Sequence, residues 1–321
     1  MFKLIVRRLM LPALLLFGVS GFSQEKKEEV KQSSSGAKLV CKKDPKNPDQ
    51  LLCDNENQAL EEGEILLTPS NVITLRGEVN TSMANNFIKK IQELNLNPVN
   101  DKIYVFIRSP GGSIFAGDTI VNAILASKRE VVTIVDFAAS MAFHIAMHGS
   151  KRVILTNGVM MQHHASGGIG PAEFPNLDSQ WKWLKRKVVR MAVKDAQKCG
   201  MEPKKFVKLI DRDLWLNGDE AVKLGCINEV ATKVRCSKEL QDKVEVQEIE
   251  IFNFTVKIDW AGCPMEPAPR KWEIASKFGS YLSNVPEAEQ KYIHNYMRMI
   301  SDPLQYFQVN GSFDVKSNTN R

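Results

Sequence analysis

Short apolar runs alternate with longer segments of helical periodicity between residues 65 and 231, and this alternation limits the fold more than any other feature. The runs KIYVFI, VVTIVDF and RVILT are bounded by polar residues. Near-continuous apolar runs of this length are typical of parallel strands that are buried on both faces. Helical segments at 81–94, 117–127 and 140–148 separate them. The pattern therefore predicts an α/β fold made of a βαβ series.

Helix-end signals place further helices in the second half of this region. Residues 179–198 carry apolar side chains on one stripe, and Gly200 is positioned to end that helix. Pro203 fits the first turn of the next helix. Asn217 and Glu220 form the capping-box pattern that starts a short helix. With a closing strand in CINEV, these segments complete the α/β pattern.

Composition divides the rest of the chain. With 321 residues, of which 43% are hydrophobic, the chain can bury a large core. Residues 24–60 are charged, Ser-rich and poor in branched apolar residues, which favours a flexible polar arm. Residues 61–231 are expected to form the α/β domain, and residues 232–321 an added C-terminal α+β extension. In the extension, EVQEIEIFNFTVKI is expected to be strand, followed by helices at 272–282 and 287–300.

Residues 1–23 have the composition of a secretory signal peptide. Basic residues come first, an apolar run follows from Leu9 to Val19, and Gly21 and Ser23 are spaced as a cleavage site requires. This run is shorter than the roughly 20 residues that cross a bilayer. A cleaved signal is therefore favoured over an uncleaved N-terminal anchor, which stays the alternative. We expect export, either to the periplasm or out of the cell.

The six cysteines agree with export, because disulfides persist in oxidising compartments. Spacing alone does not fix which cysteines pair. Cys41 and Cys53 lie close together in the polar arm and are the pair that we expect to join. The other four lie in the α/β domain and the C-terminal extension.

Charge and ligand patterns argue against two classes of partner. The formal net charge is +6, but Lys3, Arg7 and Arg8 lie in the leader, so the mature chain carries about +3. This is too little to indicate binding of nucleic acid. His144 and His148 have the i, i+4 spacing of a metal-binding pair, yet no HExxH motif or CxxC cluster accompanies them. We therefore expect neither a metal site nor another cofactor.

Three local features can carry chemistry. SPGGS, at residues 109–113, follows a buried strand and leaves backbone N–H groups able to face a ligand. AASMA places Ser140 where a strand gives way to a helix, so its hydroxyl is either a helix cap or a nucleophile. His163 and His164 end the segment VMMQHH, and their side chains point to opposite faces of a strand. Histidine is the usual base for a serine nucleophile.

Five segments together resemble one family. In this order and spacing, RGEV, IRSPGGS, AASMA, MMQHHASGG and DRDLWLNGDEAVKLGCINEV are similar to the Clp protease proteolytic-subunit family of serine peptidases. The resemblance covers about residues 65–230. It implies the ClpP/crotonase fold, a repeated βαβ spiral with a handle-like helix.

The resemblance also implies a serine endopeptidase with three catalytic residues. Ser140 would attack the peptide carbonyl, and His163 would take its proton and return it to the leaving amine. Asp213 would orient and stabilise the imidazole. The spacing back from Glu220 selects Asp213 rather than Asp211 for this role.

An oxyanion hole and a peptide-binding edge follow from the same resemblance. The backbone N–H groups of Gly112 and Met141 would bind the tetrahedral oxyanion. Gly111 and Ser113 are assigned to substrate binding, on a backbone edge at residues 108–113 where an extended peptide adds as a strand. Such an edge reads few side chains, so broad specificity is expected.

The sequence departs from the family pattern at four positions near the site. Arg108 stands before SPGG, Ala142 follows Ser-Met, and Gln162 and His164 flank the histidine that the resemblance assigns to catalysis. These residues affect the fit of the substrate rather than the catalytic groups.

Assembly is a further point of difference. Family members work with an ATP-driven unfoldase, but an exported enzyme meets no ATP, so we expect no such partner. Peptide or unfolded protein is the expected substrate. Residues 179–198 resemble the helix through which the family's rings stack, and a homo-oligomer is expected. Residues 232–321 have no counterpart in the resemblance and can block or replace that assembly.

Three other functions stay open from the sequence. An exported Ser-Lys peptidase, similar to signal peptide peptidase A, needs a buried lysine in place of His163. An acyl-CoA enzyme of the crotonase group would use the same oxyanion turn without a Ser-His pair. A catalytically silent peptide-binding scaffold would need none of Ser140, His163 and Asp213.

Overall fold

The computed structural model describes residues 30–32, 38–44, 47–54, 63–97, 101–166, 174–251, 254–276 and 286–302. Backbone contacts divide the chain into two compact units, Met1–Ala59 and Leu60–Arg321. The expected leader at residues 1–23 lies outside the described residues. Within the described part of the chain, no helix is long and apolar enough to cross a membrane.

The smaller unit contains a three-stranded antiparallel sheet, where the sequence indicated only a polar arm. Its strands, in sheet order, are β1 (Val30–Gln32), β2 (Lys38–Asp44) and β3 (Asn47–Asp54). The register sets Cys41 of β2 directly opposite Cys53 of β3. Opposite Cα atoms in an antiparallel pair lie about 4.5–5.5 Å apart, a separation that a disulfide can span. The backbone thus agrees with the expected pairing of these two cysteines.

A six-stranded, mostly parallel sheet forms the centre of the larger unit, flanked by a short parallel pair made by β4 (Ile65–Leu67) and β11 (Val234–Cys236). The central strands lie in the order β10-β8-β7-β6-β5, and β9 pairs antiparallel with the end of β8. Their bounds are Val72–Arg76 (β5), Lys102–Ser109 (β6), Glu130–Ala139 (β7), Lys151–Gln162 (β8), Leu214–Asn217 (β9) and Glu229–Ala231 (β10). The predicted α/β fold is confirmed, and RVILT and VMMQ belong to one long strand, β8.

Helices follow the strands as the alternation predicted. Their bounds are Thr81–Leu96 (α1), Ile114–Leu125 (α2), Met141–Ala146 (α3), Phe174–Lys198 (α4), Pro203–Leu209 (α5), Gly218–Lys223 (α6) and Lys238–Asp242 (α7). The handle-like helix α4 begins before the predicted residue 179. Helix α6 starts as expected, since the Asn217 N–H donates to Glu220 Oε2 at 2.8 Å.

The central sheet is buried on both faces, which explains its near-continuous apolar runs. On β6, Val105 and Ile107 pack into the cluster that contains the buried residues of α1 to α3. Phe106, between them, packs into the other cluster with Leu67 of β4 and Leu240 of α7. Since successive strand residues point to opposite faces, one strand supplies both cores.

The C-terminal extension forms an antiparallel sheet of β12 (Val244–Ile251), β13 (Phe254–Ala261) and β14 (Lys271–Ser276), with α8 (Glu287–Ser301) packed against it. The helix predicted at 272–282 is wrong for its first residues, which belong to β14 and pair with β13. Trp272 and Ile274 both pack on the extension's core. This period of two is that of a strand.

Two arginines at the ends of neighbouring strands connect the extension to the central sheet. Arg76 of β5 donates to the carbonyl of Glu266 (3.2 Å), and its guanidinium lies 4.1 Å from the ring centroid of Trp260. Arg108 of β6 pairs with Asp136 and donates to the carbonyl of Ser301 at 3.3 Å. Both guanidinium groups therefore depend on the extension for polar or aromatic partners.

Two disulfides reinforce the larger unit. Cys199, just after α4, bonds to Cys226, and Cys236 at the end of β11 bonds to Cys263. The second bond attaches the extension covalently to the strand pair beside the central sheet. Disulfides of this kind are consistent with an oxidising, extracellular location.

Removal of a core side chain tests this packing. Phe206 of α5 is fully buried and lies 6.3 Å from Phe143, measured between ring centroids. We expect Phe206→Ala to lower the free energy of unfolding by about 3–5 kcal/mol, because it leaves a cavity. Urea unfolding measures the loss. Phe115→Ala is the control, since Phe115 is 61% exposed and its removal should cost much less. Equal losses in the two variants would contradict this core.

Candidate active site

One cavity of about 550 Å³ collects groups that are far apart in the chain. It lies where the loops that follow β6, β7 and β8 meet. The residues assigned to catalysis and to the oxyanion hole all line it, namely Gly112, Ser140, Met141, His163 and Asp213. The fold therefore brings together the five residues that the resemblance singled out.

Ser140 joins β7 to α3 through a strained backbone conformation. Its φ is 55°, in the left-handed region that residues other than glycine rarely adopt. Its N–H donates to the Met161 carbonyl at 2.8 Å, which ties the turn to the end of β8. The side chain makes no hydrogen bond that caps α3. Of the two roles open from the sequence, helix cap or nucleophile, the geometry favours the second.

His163 follows β8 and faces Ser140. Its Nε2 lies 2.8 Å from Ser140 Oγ, a hydrogen-bonding distance. Burial is the main influence on the pKa of His163 and lowers it, whereas the charge of Asp213 raises it and that of His164 lowers it. A lowered pKa keeps the imidazole neutral near pH 7, and the neutral form can accept a proton from a hydroxyl.

The two candidate aspartates have different neighbours. Asp211 Oδ1 lies 2.6 Å from His164 Nε2 in an exposed pair. Asp213, with a φ of 55°, stands between a short 3-10 turn and β9 and lines the cavity. Among the described residues its carboxylate makes no hydrogen bond to His163, although its charge acts on that imidazole. Asp211 thus belongs with His164, and Asp213 lies on the His163 side.

The turn after β6 places backbone N–H groups beside Ser140. Gly111 and Gly112 have φ values of 93° and 142°, which glycine adopts without strain. A Cβ on Gly111 would lie 2.6 Å from the Ala139 carbonyl oxygen, so the close approach also requires glycine. Among the residues that the structure describes, the N–H groups of Gly112 and Met141 have no acceptor. Two free donors beside a nucleophile can stabilise an oxyanion.

Gly111 and Ser113, assigned to substrate binding, have their polar groups engaged within the chain. The Val79 N–H donates to the Gly111 carbonyl at 2.7 Å, and the Ser113 N–H donates to the Val79 carbonyl at 2.8 Å. Ser113 Oγ accepts from the Ala116 N–H at 3.3 Å and caps α2. Of the three residues 111–113, only Gly112 lines the cavity. Its two neighbours hold the turn in shape.

A buried polar network, which the sequence analysis missed, supports both sides of the site. Asp195 of α4 is 1% exposed, and its Oδ1 lies 2.7 Å from His144 Nδ1. Gln162 Nε2 donates to Asp195 Oδ2 at 3.0 Å, while Gln162 Oε1 accepts from the His163 N–H at 3.1 Å. Since α3 starts beside Ser140 and β8 ends beside His163, the network fixes both elements to α4.

The sequence does contain a signal for this network. Asp195 follows Val188 and Met191 at helical spacing, so an acidic residue interrupts the apolar stripe of α4. Gln162 likewise interrupts an apolar strand. Buried polar side chains need hydrogen-bond partners, and two such interruptions can satisfy each other.

His144 and His148, whose spacing is that of a metal-binding pair, have other partners. His144 bonds to Asp195, and His148 Nδ1 lies 2.7 Å from the His144 carbonyl oxygen. Across the described part of the chain, no group of three His, Cys, Asp or Glu residues is arranged to hold a metal ion.

Comparison with known proteins adds independent information. The family model for Clp protease matches residues 56–234. The ATP-dependent Clp protease proteolytic subunit 2 of Prochlorococcus marinus (strain MIT 9312) is 33% identical over 164 residues, which cover 50% of this chain and 81% of the relative. The ATP-dependent Clp protease proteolytic subunit of Streptococcus pyogenes serotype M5 (strain Manfredo) is 33% identical over 168 residues, covering 51% and 86%. Every residue assigned to the site falls within the range of the family model.

The charge arrangement around His163 can be tested directly. Asp213 raises the pKa of His163, so Asp213→Asn should lower that pKa further, because the imidazolium loses a stabilising charge. An NMR titration of the imidazole C–H signals measures the shift. Asp211→Asn is the matched control and should shift the pKa of His163 less, since Asp211 faces His164. An unchanged or higher pKa in Asp213→Asn would contradict the arrangement.

Proposed function

Because the chain belongs to the Clp protease family, we propose that it is an exported serine endopeptidase that works without ATP. It hydrolyses peptide bonds through Ser140, His163 and Asp213 and an acyl-enzyme. The observation that carries this proposal is the 2.8 Å contact between Ser140 Oγ and His163 Nε2 in a cavity with two free N–H donors.

The geometry supports a two-step reaction. Ser140 Oγ attacks the carbonyl carbon of the substrate while its proton passes to His163 Nε2. The oxyanion of the tetrahedral intermediate accepts hydrogen bonds from the N–H groups of Gly112 and Met141. The C–N bond then breaks as His163 gives the proton to the leaving amine. Water attacks the acyl-enzyme by the same route and releases the second product.

Asp213 acts on the charged intermediate of this cycle. His163 becomes an imidazolium when it takes the serine proton, and a nearby carboxylate lowers the energy of that cation. The pKa shift that Asp213 causes in His163 supports this role. The rigid support for His163 comes from the other direction, through Gln162 and Asp195.

The lining of the cavity weighs against a Ser-Lys mechanism. A lysine base has to reach the serine hydroxyl within hydrogen-bonding distance. Among the described residues that line the cavity there is no lysine, and the imidazole of His163 occupies the place where a base is needed.

Export and self-association complete the proposal. The Cys199–Cys226 and Cys236–Cys263 disulfides support an oxidising compartment, where neither ATP nor an ATP-driven unfoldase is at hand. The substrates are then peptides or already unfolded proteins. On α4, Trp181 is 54% exposed and Trp183 45% exposed. Exposed aromatic residues on a long helix support a homo-oligomer joined through this surface.

A fluorophosphonate probe tests the chemistry. The probe labels an activated serine, so the wild type should be labelled, whereas Ser140→Ala should not. In His163→Ala the labelling rate should fall by about a thousandfold or more, because no base takes the proton. Mass spectrometry of the labelled peptide locates the modified residue. Ser166→Ala, at another serine that lines the cavity, is the matched control and should label like the wild type.

The outcomes of this experiment separate the competing functions. Labelling at Ser140 that survives loss of His163 would point to a different base. A wild type that is not labelled, while circular dichroism shows it folded, would point to a catalytically silent scaffold.

Export is tested by the N-terminus of the mature protein. We expect cleavage of the signal peptide near residue 23, because small residues occupy Gly21 and Ser23. N-terminal sequencing of protein recovered from envelope and medium fractions identifies the first residue. A mature protein that keeps Met1 would contradict a cleaved signal and support the uncleaved anchor.

A further inference from the structure

Glu78 lies in the loop after β5, on the wall of the same cavity as Ser140. Its side chain runs beside the oxyanion turn, since a Cβ built on Gly112 would lie 2.9 Å from Glu78 Cγ. Gly112 supplies one of the two free N–H donors, so Glu78 stands close to the position of the scissile carbonyl. This acidic residue has no place in the reaction described above.

The Glu78 carboxylate has no partner within the chain. It is half-buried, and among the described residues it makes neither a hydrogen bond nor an ion pair. Burial raises its pKa, as expected for a carboxyl group that loses water without gaining a donor. A carboxylate in this situation is left with unused acceptor capacity.

The nearest arginines are committed elsewhere. Arg76, two residues before Glu78, donates to the Glu266 carbonyl and lies over Trp260. Arg108 pairs with Asp136. Neither of these guanidinium groups lines the cavity.

The cavity as a whole has an excess of negative charge. Three carboxylates line it, and among its described lining residues there is no lysine or arginine. Asp195 is bonded to His144 and Gln162, and Asp213 stands beside His163. Glu78 is therefore the carboxylate whose charge is left for a ligand to balance.

We propose that Glu78 forms a cation-binding subsite, which makes the enzyme prefer peptides with a Lys or Arg side chain within a residue or two of the cleaved bond. This inference rests on the proposed peptidase function and names its substrate class. The ammonium or guanidinium group donates to the half-buried carboxylate, an interaction stronger than one between neutral groups. It replaces the broad specificity expected from a backbone edge alone.

Paired peptides test the preference. In each pair, one position near the cleaved bond is either Lys or norleucine, which has a similar shape and no charge. For the wild type we expect kcat/KM to be about ten- to a hundredfold higher with Lys at the matching position, the range of a charge-assisted hydrogen bond. The ratio should fall toward one in Glu78→Gln and below one in Glu78→Lys. Glu93→Gln, at a carboxylate outside the cavity, should keep the wild-type ratio.

The results distinguish failure of this subsite from failure of the proposed function. A wild type that is labelled at Ser140 but cleaves both peptides of every pair equally would overturn the subsite alone. A ratio that stays unchanged in Glu78→Gln would do the same. Circular dichroism of each variant shows whether it is folded.

Binding to an inactive variant decides the matter if no peptide is cleaved. Fluorescence anisotropy with Ser140→Ala measures the affinity for fluorescent Lys and norleucine peptides without any turnover. Tighter binding of the Lys peptide that is lost in Ser140→Ala/Glu78→Gln would support the subsite. Equal affinities would overturn it, whatever the activity of the wild type.

Discussion

Parallel pairing of β6, β7 and β8 is the constraint on which the site depends. The register sets Ser109 of β6 beside Ala138 of β7, and Ala139 of β7 beside Met161 of β8. Parallel strands end at the same edge of a sheet, so the residues that follow them arrive together. The oxyanion turn, Ser140 and His163 are those next residues. Their convergence is thus a property of the sheet, and the loops need only small adjustments to complete it.

The adjustments carry a cost that buried contacts offset. Ser140 and Asp213 both have a φ of 55°, which costs of order 1–3 kcal/mol for each residue. Such conformations persist only where the surroundings determine them. Around Ser140, the bond to the Met161 carbonyl does so directly, and the bonds of Asp195 to His144 and Gln162 anchor the neighbouring elements. Rigid support and chemistry therefore come from different residues.

Local patterns predicted the parts of the molecule that local physics determines. The apolar runs identified the central strands, and the motifs identified residues that the structure places in one cavity. Prediction was wrong for 271–276, because Trp272 and Ile274 fit a strand as well as a helix until their partner β13 is known. The Asp195 network and the engaged state of Gly111 and Ser113 depend on contacts distant in sequence. No window of local sequence contains them.

The contacts of Arg76 and Arg108 have a consequence for the boundaries of the protein. The match to the Clp protease family stops at residue 234, which suggests a self-sufficient catalytic module. Yet the cation at the end of β5 rests on Trp260, and the one at the end of β6 donates to Ser301. A gene trimmed to the region of homology would leave two stranded guanidinium groups and an odd thiol at Cys236. The appendage has become part of the minimal folding unit, and its ancestry is a poor guide to where this protein can be cut.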